Sequence, residues 1–227
     1  MILKVIEKRV ETENVFSLIF QKPDKYYFYA GQYIDLQLPV EDKISNSKTF
    51  SFSSSPTENY LMLTAKTGIT PYKKYMENIE LGQSFDTTHP IGTFTLDESQ
   101  EAVFIAGGVG IAPFRSIIKY VLDQKLKTKI TLIYSNSDEN FPFKKELDLW
   151  QKQSASWRTN LTIHYIVTSK VGRLDKEMLL KLYPKPYTLN PIYYLAGPPN
   201  LVYGMQEILM DLGVDNTNIR LESFDGY

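Results

Sequence analysis

The chain has 227 residues, 43% hydrophobic and 13% aromatic, with 16 Tyr and 12 Phe, which is enough to bury a core and too apolar for a disordered chain. Lys and Arg number 25 against 26 Asp and Glu, for a net charge of -1, so no basic excess exists to neutralise nucleic-acid or anionic-membrane phosphates. Cysteine is absent, which excludes disulfides, thiolate metal sites, catalytic thiols and any iron–sulfur cluster ligated by this chain.

From the N-terminus, residues 2–9, 14–21, 32–39, 48–54, 60–65 and 83–88 are short runs rich in β-branched or aromatic residues. Gly31, Pro39, Asn46, Pro56, Asn59 and Gly82 punctuate them, and the spacing predicts a small antiparallel β-barrel. One helix interrupts it over 71–79, with Thr70 as N-cap and Pro71 at its first position. The polar run Asp97–Glu101 marks a change of pattern, and a boundary is placed between residues 97 and 98. Beyond it, Ala102-Val103-Phe104-Ile105-Ala106 is apolar without alternation, as a strand buried on both faces requires. Further strands are predicted at 129–135, 161–168, 192–196 and 218–222, separated by helices at 113–125, 142–154, 175–182 and 198–212. This alternation implies βαβ units and a doubly wound parallel sheet of the α/β class.

Two glycine-bearing turns carry the chemical signal. Ala106-Gly107-Gly108-Val109-Gly110-Ile111-Ala112-Pro113 follows a buried strand and opens a helix, so free N–H groups and the helix dipole favour a phosphate there. Gly108 and Gly110 fit a dinucleotide fingerprint and Pro113 replaces its third glycine; a plain tight turn is the alternative. Ala196-Gly197-Pro198-Pro199 likewise follows a strand, and a strand order 3-2-1-4-5 would put both turns beside one crevice. In the barrel, Lys48 and Phe50 fall on one face of a strand and Thr49 and Ser51 on the other. Lys66-Thr67-Gly68-Ile69-Thr70-Pro71 reads either as a loop with a helix cap or as a second phosphate cradle. His89 and His164 read as surface or packing residues, and no Gly-x-Ser-x-Gly elbow anchors a hydrolase triad. Any redox chemistry therefore comes from an organic cofactor.

Taken in order, these segments resemble the ferredoxin–NADP reductase-like family of FAD-dependent NAD(P)H oxidoreductases, of the ferredoxin or flavodoxin reductase type without a fused iron–sulfur domain. The resemblance implies an FAD-binding barrel over 1–97 and an NAD(P)-binding α/β domain over 98–227. Lys48-Thr49-Phe50-Ser51 matches the family's Arg-x-Tyr-Ser, so Lys48 would take the flavin pyrophosphate, Phe50 would pack on the flavin, and Ser51 would hydrogen-bond near N5. Lysine keeps the charge of arginine and loses its fork, so weaker flavin binding is expected. Gly68-Ile69-Thr70, preceded by Ala65 and Lys66, would complete the flavin phosphate site, and Pro90-Ile91-Gly92-Thr93-Phe94 resembles the motif closing the barrel.

Gly107, Gly108, Gly110, Ile111 and Pro113 would form the nicotinamide pyrophosphate loop. Gly197, Pro198 and Pro199 resemble Cys-Gly-Pro-Pro with Ala196 in place of cysteine. Ser135 and Asn136 stand where relatives bind the adenosine ribose; the lack of arginine at Ser137 leans toward NADH, while Lys144, Lys145 and Arg173 are candidates for a 2′-phosphate. Phe224 would cover the flavin, with Tyr227 as the alternative. Ser51 and Phe224 are the expected catalytic residues, FAD and NAD(P)H the cofactors, and ferredoxin, flavodoxin or an oxygenase component the electron acceptor. A free-flavin or quinone reductase of the same fold is the competing enzyme, and a nucleotide-binding scaffold with a degraded flavin site is the non-enzymatic one. No nucleic-acid partner and no membrane insertion are expected. The location expected is cytoplasmic, because the N-terminus is charged too early for a secretory signal.

Overall fold

A computed structural model of the protein describes residues 1–40, 46–154, 161–184 and 191–224. The first half is all antiparallel. Strands β1 (Ile2–Thr12), β2 (Val15–Gln21), β5 (Tyr60–Lys66) and β6 (Ser84–Asp86) form a sheet in the order β5-β2-β1-β6, and β3 (Tyr33–Gln37) pairs with β4 (Ser47–Ser51). Single bridges Leu36–Thr87 and Phe52–Leu63 join the two sheets at their edges, so six strands close into the expected barrel. Closure places Leu3, Leu18, Phe20, Ile34, Leu36 and Phe52 at zero exposure in the barrel core. Helix α1 (Pro71–Glu77) covers one end, capped by the Thr70 hydroxyl and started by Pro71. The β4 strand stops three residues before the predicted end, because Phe52 makes only an isolated bridge and the following serines turn away to meet a helix of the second half.

The second half is a five-stranded parallel sheet in the order β11-β10-β7-β8-β9, built from β7 (Ala102–Gly107), β8 (Ile130–Asn136), β9 (Leu161–Val167), β10 (Ile192–Gly197) and β11 (Ile219–Ser223). Numbered within this half the order is 3-2-1-4-5, which makes its first and fourth strands neighbours. Both β7 and β10 are buried at every position, the burial their unalternated sequences require. Helices α2 (Ile111–Asp123), α3 (Lys144–Ser154), α4 (Thr168–Val171), α5 (Lys176–Leu182) and α6 (Pro199–Asp211) complete the layers. Helix α2 begins two residues earlier than the sequence predicts, after a 3-10 turn over 108–110. Pro113 still lies in its first turn, where a missing N–H costs nothing.

One apolar cluster joins Ile19, Ala30, Met62 and Phe94 of the barrel to Phe104, Phe114, Ile117 and Tyr194 of the parallel half. Among the described residues, no helix is long and apolar enough to cross a membrane.

Candidate functional site

The two glycine turns meet. A Cβ on Gly110 would lie 2.3 Å from the Ala196 carbonyl oxygen, so only glycine lets the first turn pack on the end of β10. Gly197 has φ +149°, and its Cβ position is 3.0 Å from the Gly107 nitrogen. These close approaches hold the starts of α2 and α6 beside each other at the carboxyl ends of neighbouring strands, where open α/β sheets bind ligands. A cavity of about 390 Å³ opens there. Gly107, Gly108, Ser135, Asn136 and Pro198 line it, together with Arg173. Lys66 reaches the same cavity from the barrel. Ile111 and Pro113 are buried in the helix–sheet core rather than facing it, and Pro199 opens α6. Lys144 is committed to Asp148 (2.7 Å) and stands over the Tyr165 ring, and neither it nor Lys145 lines this cavity.

A second cavity, of about 370 Å³, lies between β4 and the C-terminal strand. Tyr33, Lys48, Thr49, Glu222, Ser223 and Phe224 line it. Parallel pairing sets Ala196 opposite Glu222 and Gly197 opposite Ser223, and the Phe224 N–H donates to the Gly197 carbonyl at 3.0 Å. The second glycine turn therefore fixes the C-terminal segment by backbone bonds. Across the junction, the Ser51 hydroxyl donates a short hydrogen bond to Glu222 Oε1. Glu222 Oε2 and Ser223 Oγ are buried with no partner among the described residues. Burial pushes the Glu222 carboxyl up to about 7, against a smaller opposing pull from Ser51. A carboxyl is thus poised to change charge near neutrality beside a polar cavity.

Other residues singled out in the sequence lie elsewhere. Phe50 is 5% exposed in the barrel core, stacked on Tyr72 at 6.2 Å, and does not line the cavity beside Lys48. Ala65 is also in that core. The Thr49 hydroxyl donates to Asp35 (2.6 Å). The Gly68 N–H is taken by Glu77 (2.8 Å), Ile69 is 88% exposed, and Thr70 caps α1. Tyr227 lies outside the described residues. In the sequence Tyr33 stands at the start of the family resemblance and Glu222-Ser223-Phe224 resembles a Glu-x-Phe motif, which points to Phe224 and gives Tyr33, Glu222 and Ser223 no role of their own; the structure pairs Glu222 and Ser223 directly with Ala196 and Gly197.

Residues 104–207 match the family model described as the oxidoreductase NAD-binding domain. The chain is 27% identical over 238 residues to the ferredoxin reductase component of 3-ketosteroid-9-alpha-monooxygenase from Mycobacterium tuberculosis, covering 98% of this chain and 64% of that protein. It is 26% identical over 243 residues to the flavohemoprotein of Bacillus anthracis, covering 97% and 60%. Its fold superposes on ferredoxin-NADP+ reductase from Plasmodium falciparum with a TM-score of 0.83 at 18% identity, covering 98% and 95%. The whole chain shares the fold of ferredoxin-NADP+ reductase, and its second half carries the NAD-binding domain match. The chain spans about three fifths of the length of the flavohemoproteins it matches, 59% and 60% for two of them.

Proposed function

We propose that this protein is a ferredoxin reductase-like flavoprotein that takes a hydride from reduced nicotinamide onto bound FAD and passes the electrons to an external acceptor. The observation that carries the reading is the Ser51–Glu222 bond at the junction, with Glu222 Oε2 and Ser223 Oγ left unpartnered at a cavity edged by Lys48 and Phe224. Buried polar atoms without partners are costly, so a ligand with complementary donors fits there. Gly107 and Gly108 line the other cavity just before α2, where the positive end of the helix dipole suits a pyrophosphate.

Bound flavin supplies the hydride and electron chemistry. The chain's residues bind, orient and hold a proton. Lys48 offers a cation to a pyrophosphate. Ser51 is buried behind the cavity and donates its hydroxyl to Oε1 of Glu222, which lines it. Phe224, tied to Gly197 and lining the cavity, would cover a planar ring held there. Lys48→Ala is expected to weaken FAD retention about 10- to 100-fold, the value of one charge-assisted contact. Ultrafiltration with flavin fluorescence checks it, and undiminished retention would place the pyrophosphate elsewhere.

The preferred dinucleotide is NADPH, opposite to the lean drawn from Ser137 alone. Among the described residues no carboxylate lines this cavity to meet a free ribose 2′-hydroxyl, the neighbouring Asp138 being bonded to Asn136 at the edge of an adjoining pocket, whereas the exposed Arg173 guanidinium does line it. Arg173→Ala is expected to weaken NADPH about 10- to 100-fold and leave NADH within twofold. Equal losses for both dinucleotides would remove Arg173 from a discriminating role.

A protein such as ferredoxin, flavodoxin or an oxygenase component is the proposed acceptor, because this cysteine-free chain ligates no cluster of its own. Anaerobic stopped-flow tests the whole reading: the purified protein should be yellow and should bleach with NADPH. A colourless protein that takes up no added FAD would overturn it, and turnover with free flavin alone would reassign the acceptor.

A further inference from the structure

Arg115 is the largest fully buried side chain in the molecule's described part, at 1% exposure. It lies in the second turn of α2, the helix that starts at the Gly107–Gly110 turn. Its guanidinium reaches three separate segments. Nε and Nη2 donate to the two oxygens of Glu146 on α3 (2.9 and 3.0 Å). Nη1 and Nη2 donate to the two oxygens of Glu58 in the β4–β5 loop (2.9 and 3.2 Å). Nη1 also donates to the Ser53 carbonyl (2.8 Å). The Phe143 and Trp150 rings flank it, each 5.3 Å away. Two further bonds join the same helix to the same loop: Ser116 Oγ donates to the Ser54 carbonyl (2.6 Å), and Thr57 Oγ1 donates to Asp123.

Burying a guanidinium and its carboxylate partners is a poor way to gain stability, because desolvation offsets most of the attraction and apolar residues of similar volume do as well. What such a network supplies is direction. Bidentate bonds on both sides fix the rotation of α2 about its axis, and contacts at Arg115, Ser116 and Asp123 fix its slide along the barrel loop. Apolar contacts alone, being non-directional, leave both freedoms softer.

We propose that Arg115, clamped between Glu58 and Glu146, is a positioning residue that sets where the dinucleotide-binding glycine turn stands relative to the barrel cavity. The proposal rests on the oxidoreductase reading above, since only there does that spacing govern a reaction. Small errors of alignment between reacting groups cost large factors in rate, while the affinity of each group for its own site is untouched.

The chain's lack of cysteine allows a test independent of cofactor. Spin labels at Tyr27→Cys on the barrel and Met210→Cys on α6, both exposed positions, report the distance between the halves. Arg115→Met is expected to broaden that distribution. In the FAD-loaded protein it should slow flavin reduction at saturating NADPH at least tenfold, roughly the effect of a small misalignment. Binding of NADP+ and reduction by dithionite should stay within twofold, and Arg115→Lys should recover part of the rate. A folded Arg115→Met protein with unchanged distance distribution and unchanged rate would overturn the proposal. So would parallel losses of FAD retention, NADP+ affinity and rate, which mark mere unfolding of the site. If Arg115→Met does not fold, Glu146→Gln decides in its place. Its carboxylate is 38% exposed, so its loss leaves the guanidinium its barrel partners, and a several-fold rate loss with a broadened distribution is expected. No change in either would refute the clamp. A broadened distance in a protein that binds no FAD would leave the clamp standing and sink the oxidoreductase reading.

Discussion

Flavin reduction by NADPH is expected to slow as pH rises through about 7, and Glu222→Gln is expected to flatten that profile at its fast, low-pH level. Burial raises the Glu222 carboxyl to about 7, so it is neutral in mildly acidic solution and anionic above. A neutral carboxyl tolerates negative charge arriving in the cavity, and a carboxylate opposes it. Glutamine stays neutral throughout. Ser51→Ala removes the bond to Oε1 that holds the carboxyl down, so its midpoint moves above 7, and the loss of the hydroxyl slows reduction by about 10²-fold with a smaller effect on FAD binding.

The same group makes a stability prediction with a definite sign. Its folded value lies above the ordinary 4.5 of a glutamate carboxyl, so its contribution is full below 4.5 and is lost as pH rises through about 7. Glu222→Gln should therefore stabilise the cofactor-free protein at pH 8 relative to pH 5, by at most about 3 kcal/mol. Melting curves of both proteins at both values decide this. A variant-to-parent difference that does not grow between them would mean the carboxyl is not held neutral by burial.

Local pattern made much of the architecture legible. Unbroken apolar runs at 102–106 and 192–196, each followed by a glycine turn, suit strands covered on both faces, and both are. Glycines at 107, 110 and 197 needed a reason, and the strand order supplies it by bringing Gly110 against Ala196. Contacts distant in sequence left no such trace. Arg115 sits in a helix with the period of a surface residue, and its partners are 57 and 31 residues away. Glu222 belongs to a polar strand end, and nothing local marks it as facing Ser51, 171 residues distant. Phe50 shares a strand face with Lys48 by alternation, yet the packing of Tyr72 from α1 draws it into the core while Lys48 stays exposed. Alternation gives a face; the tertiary neighbours decide what that face meets.

Phe114→Ala is expected to cost about 3–5 kcal/mol, the largest stability loss foreseen for one side chain here. The ring has no exposed surface, stacks on Phe104 at 4.6 Å and tilts against Phe94 of the barrel at 5.7 Å. Its removal opens a void where the barrel and the parallel sheet share one cluster, with Ile19, Ala30, Met62 and Phe94 on one side of it. Because that cluster is continuous, loss on either side is felt by both halves, and the melt should remain a single transition moved down by roughly 2–4 °C per kcal/mol. Phe52→Ala, in the separate barrel core, tests the coupling from the other direction: it too should lower one common transition. A parent protein that melts in two steps, with only the later one shifted by Phe114→Ala, would show that the shared cluster does not bind the halves into one cooperative unit.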